Sequence, residues 1–274
     1  MAYSNLGGMG PDLSYPPNIR YANTGVQFVS GVPIRFDLLV TNRSEYLPHT
    51  PTENRISGRF AQINFAPNTM VNLRVQVVRS CCALANCAAC DRLPTDMERT
   101  GCYAQGCCCF SKTCTSAGCC SGAARETARA SYSCSGMDSA LTFPSSSLIG
   151  MSVYDLDGGF MGTYTEQLSI QGYAYYITPL RPASGNVVAS TIAIDEAAGT
   201  FTSTIAGTPA DNPSDPQSLT DLQASKAIQF FFKPTKGYID AGFRVGYIGT
   251  SPNAPGRNLL FAGDSAVRGS HTKP

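Results

Sequence analysis

Hydrophobic and polar positions alternate with period two along much of this chain. In residues 34–41, Ile34, Phe36, Leu38 and Val40 share one face, and Arg35, Asp37 and Thr41 share the other. Val71, Leu73, Val75 and Val77 oppose Asn72, Arg74 and Gln76, and Ala61, Ile63 and Phe65 oppose Gln62 and Asn64. Side chains of a strand point to opposite faces in turn, so this pattern predicts half-buried strands with one wet face. The pattern resumes downstream with Ile149, Met151 and Val153, then Leu168 and Ile170, then Tyr173, Tyr175 and Ile177. Val188 to Ile194 and Phe201 to Ile205 read as a hairpin turning through Asp195–Gly199. Ile228, Phe230 and Phe232, then Phe243, Val245 and Tyr247, and finally Asn258 to Phe261 complete the series. Together they predict about ten strands and one short helix near Ser218–Lys226, where Leu219 and Leu222 share a face.

Many short strands with turn-rich connections and no strand–helix alternation predict an all-β fold, an antiparallel β-sandwich of jelly-roll type. The alternation stops between residues 81 and 134, and that interval contains all twelve cysteines: Cys81, Cys82, Cys87, Cys90, Cys102, Cys107, Cys108, Cys109, Cys114, Cys119, Cys120 and Cys134. An even number packed this tightly predicts a disulfide-stapled, irregular insertion formed in an oxidising compartment. Zinc is the rival reading, but only Cys87 and Cys90 have the spacing of a metal knuckle, and no nearby histidine completes a tetrahedral set. The three strands before residue 80 are too few for a core of their own. Residues 1–80 and 135–274 are therefore expected to form one discontinuous sandwich, with 81–134 as an excursion from it.

Composition narrows the function classes. Charged residues make up 14% of the 274 and the net charge is +1, which excludes a nucleic-acid binder relying on a dense basic face. No apolar stretch is long enough to span a membrane as a helix. The opening MAYSNLGGMG lacks a basic start and an apolar run, so the export address implied by the cysteines is expected outside this sequence. Residues 1–21, rich in glycine and proline, are expected to need a partner surface to hold them. Asn42-Arg43-Ser44 is a glycosylation sequon, with Asn42 as the acceptor.

Hydrolytic chemistry finds little support. The two histidines, His49 and His271, have no serine elbow to serve, and Gly263-Asp264-Ser265 reads as a turn. The carboxylates are more informative. Asp155 and Asp157, at i and i+2 before Gly158-Gly159, place hard oxygens on one side of a tight turn, as Ca²⁺ requires. Glu166 follows near the next strand, and Asp211 and Asp215 mark a second acidic loop. Those five residues are the candidate calcium ligands, and turn capping by Asp is the alternative. No other cofactor is expected.

Several phrases resemble a known group. They are Tyr21-Ala22-Asn23-Thr24-Gly25, Asp37-Leu38-Leu39-Val40-Thr41, Gly58-Arg59-Phe60-Ala61-Gln62-Ile63-Asn64, Tyr154-Asp155-Leu156-Asp157, Asp211-Asn212-Pro213-Ser214-Asp215-Pro216 and Gly256-Arg257-Asn258-Leu259-Leu260-Phe261-Ala262-Gly263. They are similar to poorly characterised secreted or lumenal β-rich proteins of dinoflagellates and related algae, and the cysteine insertion departs from that pattern. The resemblance implies an extracytoplasmic setting, either extracellular or the thylakoid lumen, and no particular activity. The expected function is a non-catalytic structural or accessory subunit that docks other protein subunits in a larger assembly. The alternative is a calcium-dependent glycan-binding module.

Overall fold

A computed structural model describes residues 1–29, 32–79, 143, 147–208, 211–233, 237–247 and 254–264. The cysteine segment and its expected disulfides lie outside the described residues. The strands are β1 Tyr3–Ser4, β2 Ile19–Val29, β3 Val32–Asn42, β4 Arg55–Ser57, β5 Phe60–Phe65, β6 Thr69–Arg79 and β7 Ile149–Tyr154. They continue with β8 Tyr164–Ile170, β9 Tyr175–Ile177, β10 Ile192–Asp195, β11 Thr200–Ser203, β12 Ile228–Phe232, β13 Tyr238–Tyr247 and β14 Arg257–Asp264. A short helix, α1, spans Asp221–Ser225.

The strands form two antiparallel sheets. The first runs β1-β2-β3-β6-β13-β8-β11-β10 and the second β4-β5-β14-β7-β12-β9. Strands from before and after the cysteine segment join side by side in both sheets. β6 pairs with β13 in the register Val75↔Ile239, and β5 pairs with β14 in the register Ile63↔Leu259. The chain is therefore an antiparallel β-sandwich, and its core is the space between the sheets. Val71, Leu73, Leu168, Ile170 and Phe243 of the first sheet meet Ile63, Phe65, Val153, Phe230 and Phe261 of the second in one cluster. Phe65–Phe243 and Phe201–Phe230, each with ring centroids 4.8 Å apart, bridge the sheets directly. Full burial of each such side chain contributes about 1.5–3 kcal/mol, so the alternation itself is the main source of stability.

The sequence pattern misses some elements, for identifiable reasons. β1 and the start of β2 lie in the glycine- and proline-rich opening, which has no clean alternation. That segment packs on its own sandwich: Tyr3 and Leu6 are buried, Tyr3 stacks on Tyr15 at 4.6 Å, and Asp12 Oδ2 accepts from the Ser4 N–H at 2.9 Å. Residues 1–10 are thus held by contacts within the chain itself. β10 begins only at Ile192, because the chain before it packs beside α1: the Thr191 N–H donates to Ser225 O at 3.0 Å. α1 itself starts with a capping box, in which Thr220 and Gln223 satisfy each other's backbone N–H groups. No described helix is long and apolar enough to cross a membrane.

Candidate functional site

β7 ends at Tyr154, next to the start of β12, which pairs Ile228 with Val153, and next to β14, which pairs Leu260 with Tyr154. Residues just beyond these strand ends therefore converge at one end of the sandwich: Asp155 and Asp157 after β7, Lys226 before β12, and Arg257 at the head of β14. Glu166 reaches them from β8 on the opposite sheet. Asp211 comes from the connection between β11 and α1.

The contacts are close and mutual. Arg257 donates from Nη2 to Asp157 Oδ1 and from Nε to Glu166 Oε1, both at 2.6 Å. Lys226 Nζ lies 2.6 Å from Asp211 Oδ2 and 3.5 Å from Asp157 Oδ2. The Tyr164 hydroxyl donates to Asp157 Oδ1 at 3.2 Å, and its ring lies beneath the Arg257 guanidinium at 4.4 Å. The Asp157 N–H donates to Glu166 Oε2 at 3.3 Å. Lys226 is 0% exposed, Asp157 and Glu166 are each 1%, and Asp211 is 5%. Gly207 fits against the cluster because a Cβ there would overlap the Asp157 carboxylate.

Four acids face two bases, and the imbalance shows in their acidity. Burial, with the charges of Asp157 and Glu166 added, pushes Asp155 up to about 8. Burial lifts Glu166 to about 7 against the lowering pull of Arg257. Burial likewise raises Asp157, although Arg257 and Lys226 oppose it. For Arg257 burial disfavours the charge, but the Glu166 and Asp157 carboxylates outweigh it and hold the guanidinium above its ordinary value. Asp155 adopts a left-handed backbone, φ 59°, and its buried Oδ1 has no hydrogen-bond partner. Carboxylate oxygens of Asp155, Asp157 and Asp211 lie within 4.8 Å of one another.

Four of the five sequence-predicted ligands, Asp155, Asp157, Glu166 and Asp211, are thus brought together. Asp215 is not. It sits at the surface, where Oδ2 is 3.3 Å from Arg59 Nη1 and Oδ1 accepts from the Gln217 N–H. Asn42, the sequon residue, closes β3 and is half-buried, its amide donating to Ser44 O at 2.8 Å. Lys226 and Arg257 were not anticipated. Each is a single basic residue at the opening of an apolar strand, and that was the available signal. Elsewhere, an apolar cavity of about 280 Å³ between the sheets is lined by Leu38, Val75, Phe143, Ile149, Met151 and Phe261. It offers packing space rather than chemistry.

No family model matches the chain, and no curated protein matches it. Among solved structures, the N-terminal domain of the Streptococcus gordonii adhesin Sgo0707 is similar at 9% identity with a TM-score of 0.35, over 91% of this chain. The chain spans about half of that structure, 48% of its length.

Proposed function

We propose that this protein is a non-catalytic accessory or structural module that works outside the cytosol by docking other protein subunits. The observation that carries this reading is the contrast between the charge cluster and the loop above it. The cluster's carboxyl groups and Lys226 are buried, so they support structure instead of meeting a substrate. The loop they anchor does the opposite. Gly158 and Gly159 turn the chain immediately after Asp157, and the tip presents Phe160 and Met161 at 75% and 86% exposure. Large apolar side chains on a rigid base are suited to burial against a partner protein. The cysteine segment, as a stapled insertion, and the algal resemblance both fit an extracellular or lumenal assembly. The test is the joint substitution Phe160→Ser and Met161→Ser in the native source. The thermal midpoint should stay near wild type while the protein leaves its large assembly on size-exclusion chromatography. If the variant stays in an assembly of unchanged size, the docking reading fails.

One observation favours a second reading, a calcium-dependent glycan-binding module. Asp155 Oδ1 is a buried oxygen without a hydrogen-bond partner, and the cluster holds two more carboxyl groups than Lys226 and Arg257 can match. Asp155 and Asp157 would hold the ion, and its chemistry there would be charge neutralisation. Calcium should then raise the thermal midpoint and be required for retention on immobilised glycans. If neither happens, this reading is removed.

A further inference from the structure

We propose that Lys226 and Asp211 condense into an intramolecular amide, a covalent cross-link between the opening of β12 and the connection that follows β11. Lys226 Nζ is 2.6 Å from Asp211 Oδ2, and neither side chain meets bulk water. Around this pair the structure already holds the partners that an amide needs. The other oxygen, Asp211 Oδ1, accepts from the Thr208 backbone N–H at 3.0 Å. That donor polarises the carbonyl in the reaction and satisfies it in the product, in the manner of an oxyanion hole. Nζ also lies 3.3 Å from Ala206 O, which can accept the single N–H that an amide retains. Oδ2, the oxygen facing the amine, is left as the one to depart.

Asp157 supplies the proton path. Its Oδ1 is tied down by Arg257 and Tyr164, which leaves Oδ2 facing Nζ at 3.5 Å. Lys226 begins as an ammonium. One proton passes to Asp157 Oδ2, and the freed amine attacks Asp211 Cγ to form the N–C bond. A second proton from nitrogen and the one carried by Asp157 reach the departing Oδ2, the C–O bond breaks, and one water leaves. The nitrogen keeps one hydrogen, Asp157 is restored, and neither oxidant nor reductant is required. Two features favour the reaction. Fixing nucleophile and carbonyl in contact replaces a bimolecular encounter by an effective molarity of roughly 10⁵–10⁸ M. A neutral amide also removes the desolvation cost that a buried ammonium and carboxylate carry.

The experiment is mass spectrometry on the purified full-length protein, denatured and fully reduced so that cystines do not contribute. The cross-linked chain should be lighter than its sequence mass by one water. Trypsin should fail to cut after Lys226, whose amine is acylated, so the peptide beginning at Ala227 should be missing. Fragmentation should place the loss on a peptide that contains both Asp211 and Lys226. Asp157→Asn should slow formation at least tenfold, giving the full mass and normal cleavage at Lys226 in freshly made protein. Wild-type protein with its full sequence mass and ordinary cleavage after Lys226 would overturn the proposal, and this arm does not depend on any variant folding. Cross-linking at the wild-type rate in Asp157→Asn would remove Asp157 from the role of proton carrier.

Discussion

Among the described residues, two buried places hold charge, and they handle it differently. Within the first sheet, Arg20 of β2 meets Asp37 of β3 at 2.7 Å, with side chains 2% and 3% exposed. The guanidinium and the carboxylate lie on neighbouring strands and offset each other's charge. At the end of the sandwich, four carboxyl groups share Lys226 and Arg257, and burial, with the neighbouring carboxylates adding to it, raises the pKa of Asp155 and Glu166. The first arrangement resembles a structural tie that two apolar side chains could replace. In the second, no single substitution restores balance, because Arg257 serves two acids and Lys226 serves two acids and a carbonyl. Burial alone therefore does not mark a functional site; burial with unbalanced charge is the more specific sign.

The largest effect expected from this contrast comes from Arg257→Met. It leaves Asp157 and Glu166 without their guanidinium and should cost about 3–5 kcal/mol in urea unfolding. Arg20→Met should cost a similar amount alone, but adding Asp37→Leu should bring stability back to within about 1 kcal/mol of wild type. If the double substitution stays as unstable as the single one, the two places are not different in kind. A smaller loss, about 1–3 kcal/mol, is expected for Gly207→Ala, whose new methyl must displace the Asp157 carboxylate. An unchanged unfolding midpoint in that variant would mean that the cluster has more room than its geometry implies.

Stability should also depend on pH. Asp155 and Glu166 hold protons in the folded state at pH values where the unfolded chain has shed them. Stability is then greatest below the ordinary carboxylate range and declines as pH rises toward about 7 for Glu166 and about 8 for Asp155. Asp155→Asn removes the larger part of that decline. Asn also tolerates the left-handed backbone at this position, so the variant should gain on the order of 1 kcal/mol at pH 8. Thermal melts of both proteins across pH 5 to about 9 read the slope directly. Equal slopes would place the titrating groups elsewhere.

The sandwich was legible in the chain wherever a strand has one dry face. Val71, Leu73 and Val75 alternate because the facing sheet needs apolar side chains at every second position, and the burial follows that pattern. β1 and β2 were not legible, since their residues are held by local hydrogen bonds and a bulge between Tyr21 and Gly25, neither of which has a period. The site was half legible. Asp155 and Asp157 stood out because two acids before two glycines are conspicuous. Lys226 and Arg257 lie 60 or more residues away along the chain, and strand pairing alone brings them near. Asp211 and Asp215 share one acidic loop but take opposite fates. Only the position of Lys226 in space decides that Asp211 turns inward while Asp215 pairs with Arg59 at the surface.

Phe143 carries a consequence for the cysteine-rich segment. Its ring packs edge-on against Phe36 with centroids 6.3 Å apart, in a cluster that also includes Val77 near the end of β6. The chain thus returns close to where it departs, and a clasp of three apolar side chains holds the two roots together. The entropic cost of closing a segment grows only with the logarithm of its length, so doubling or halving what lies between the roots changes the balance by about 0.6 kcal/mol. The sandwich is therefore a chassis with a built-in socket. Excursions of very different size and chemistry can be exchanged there with little thermodynamic penalty to the frame that displays them.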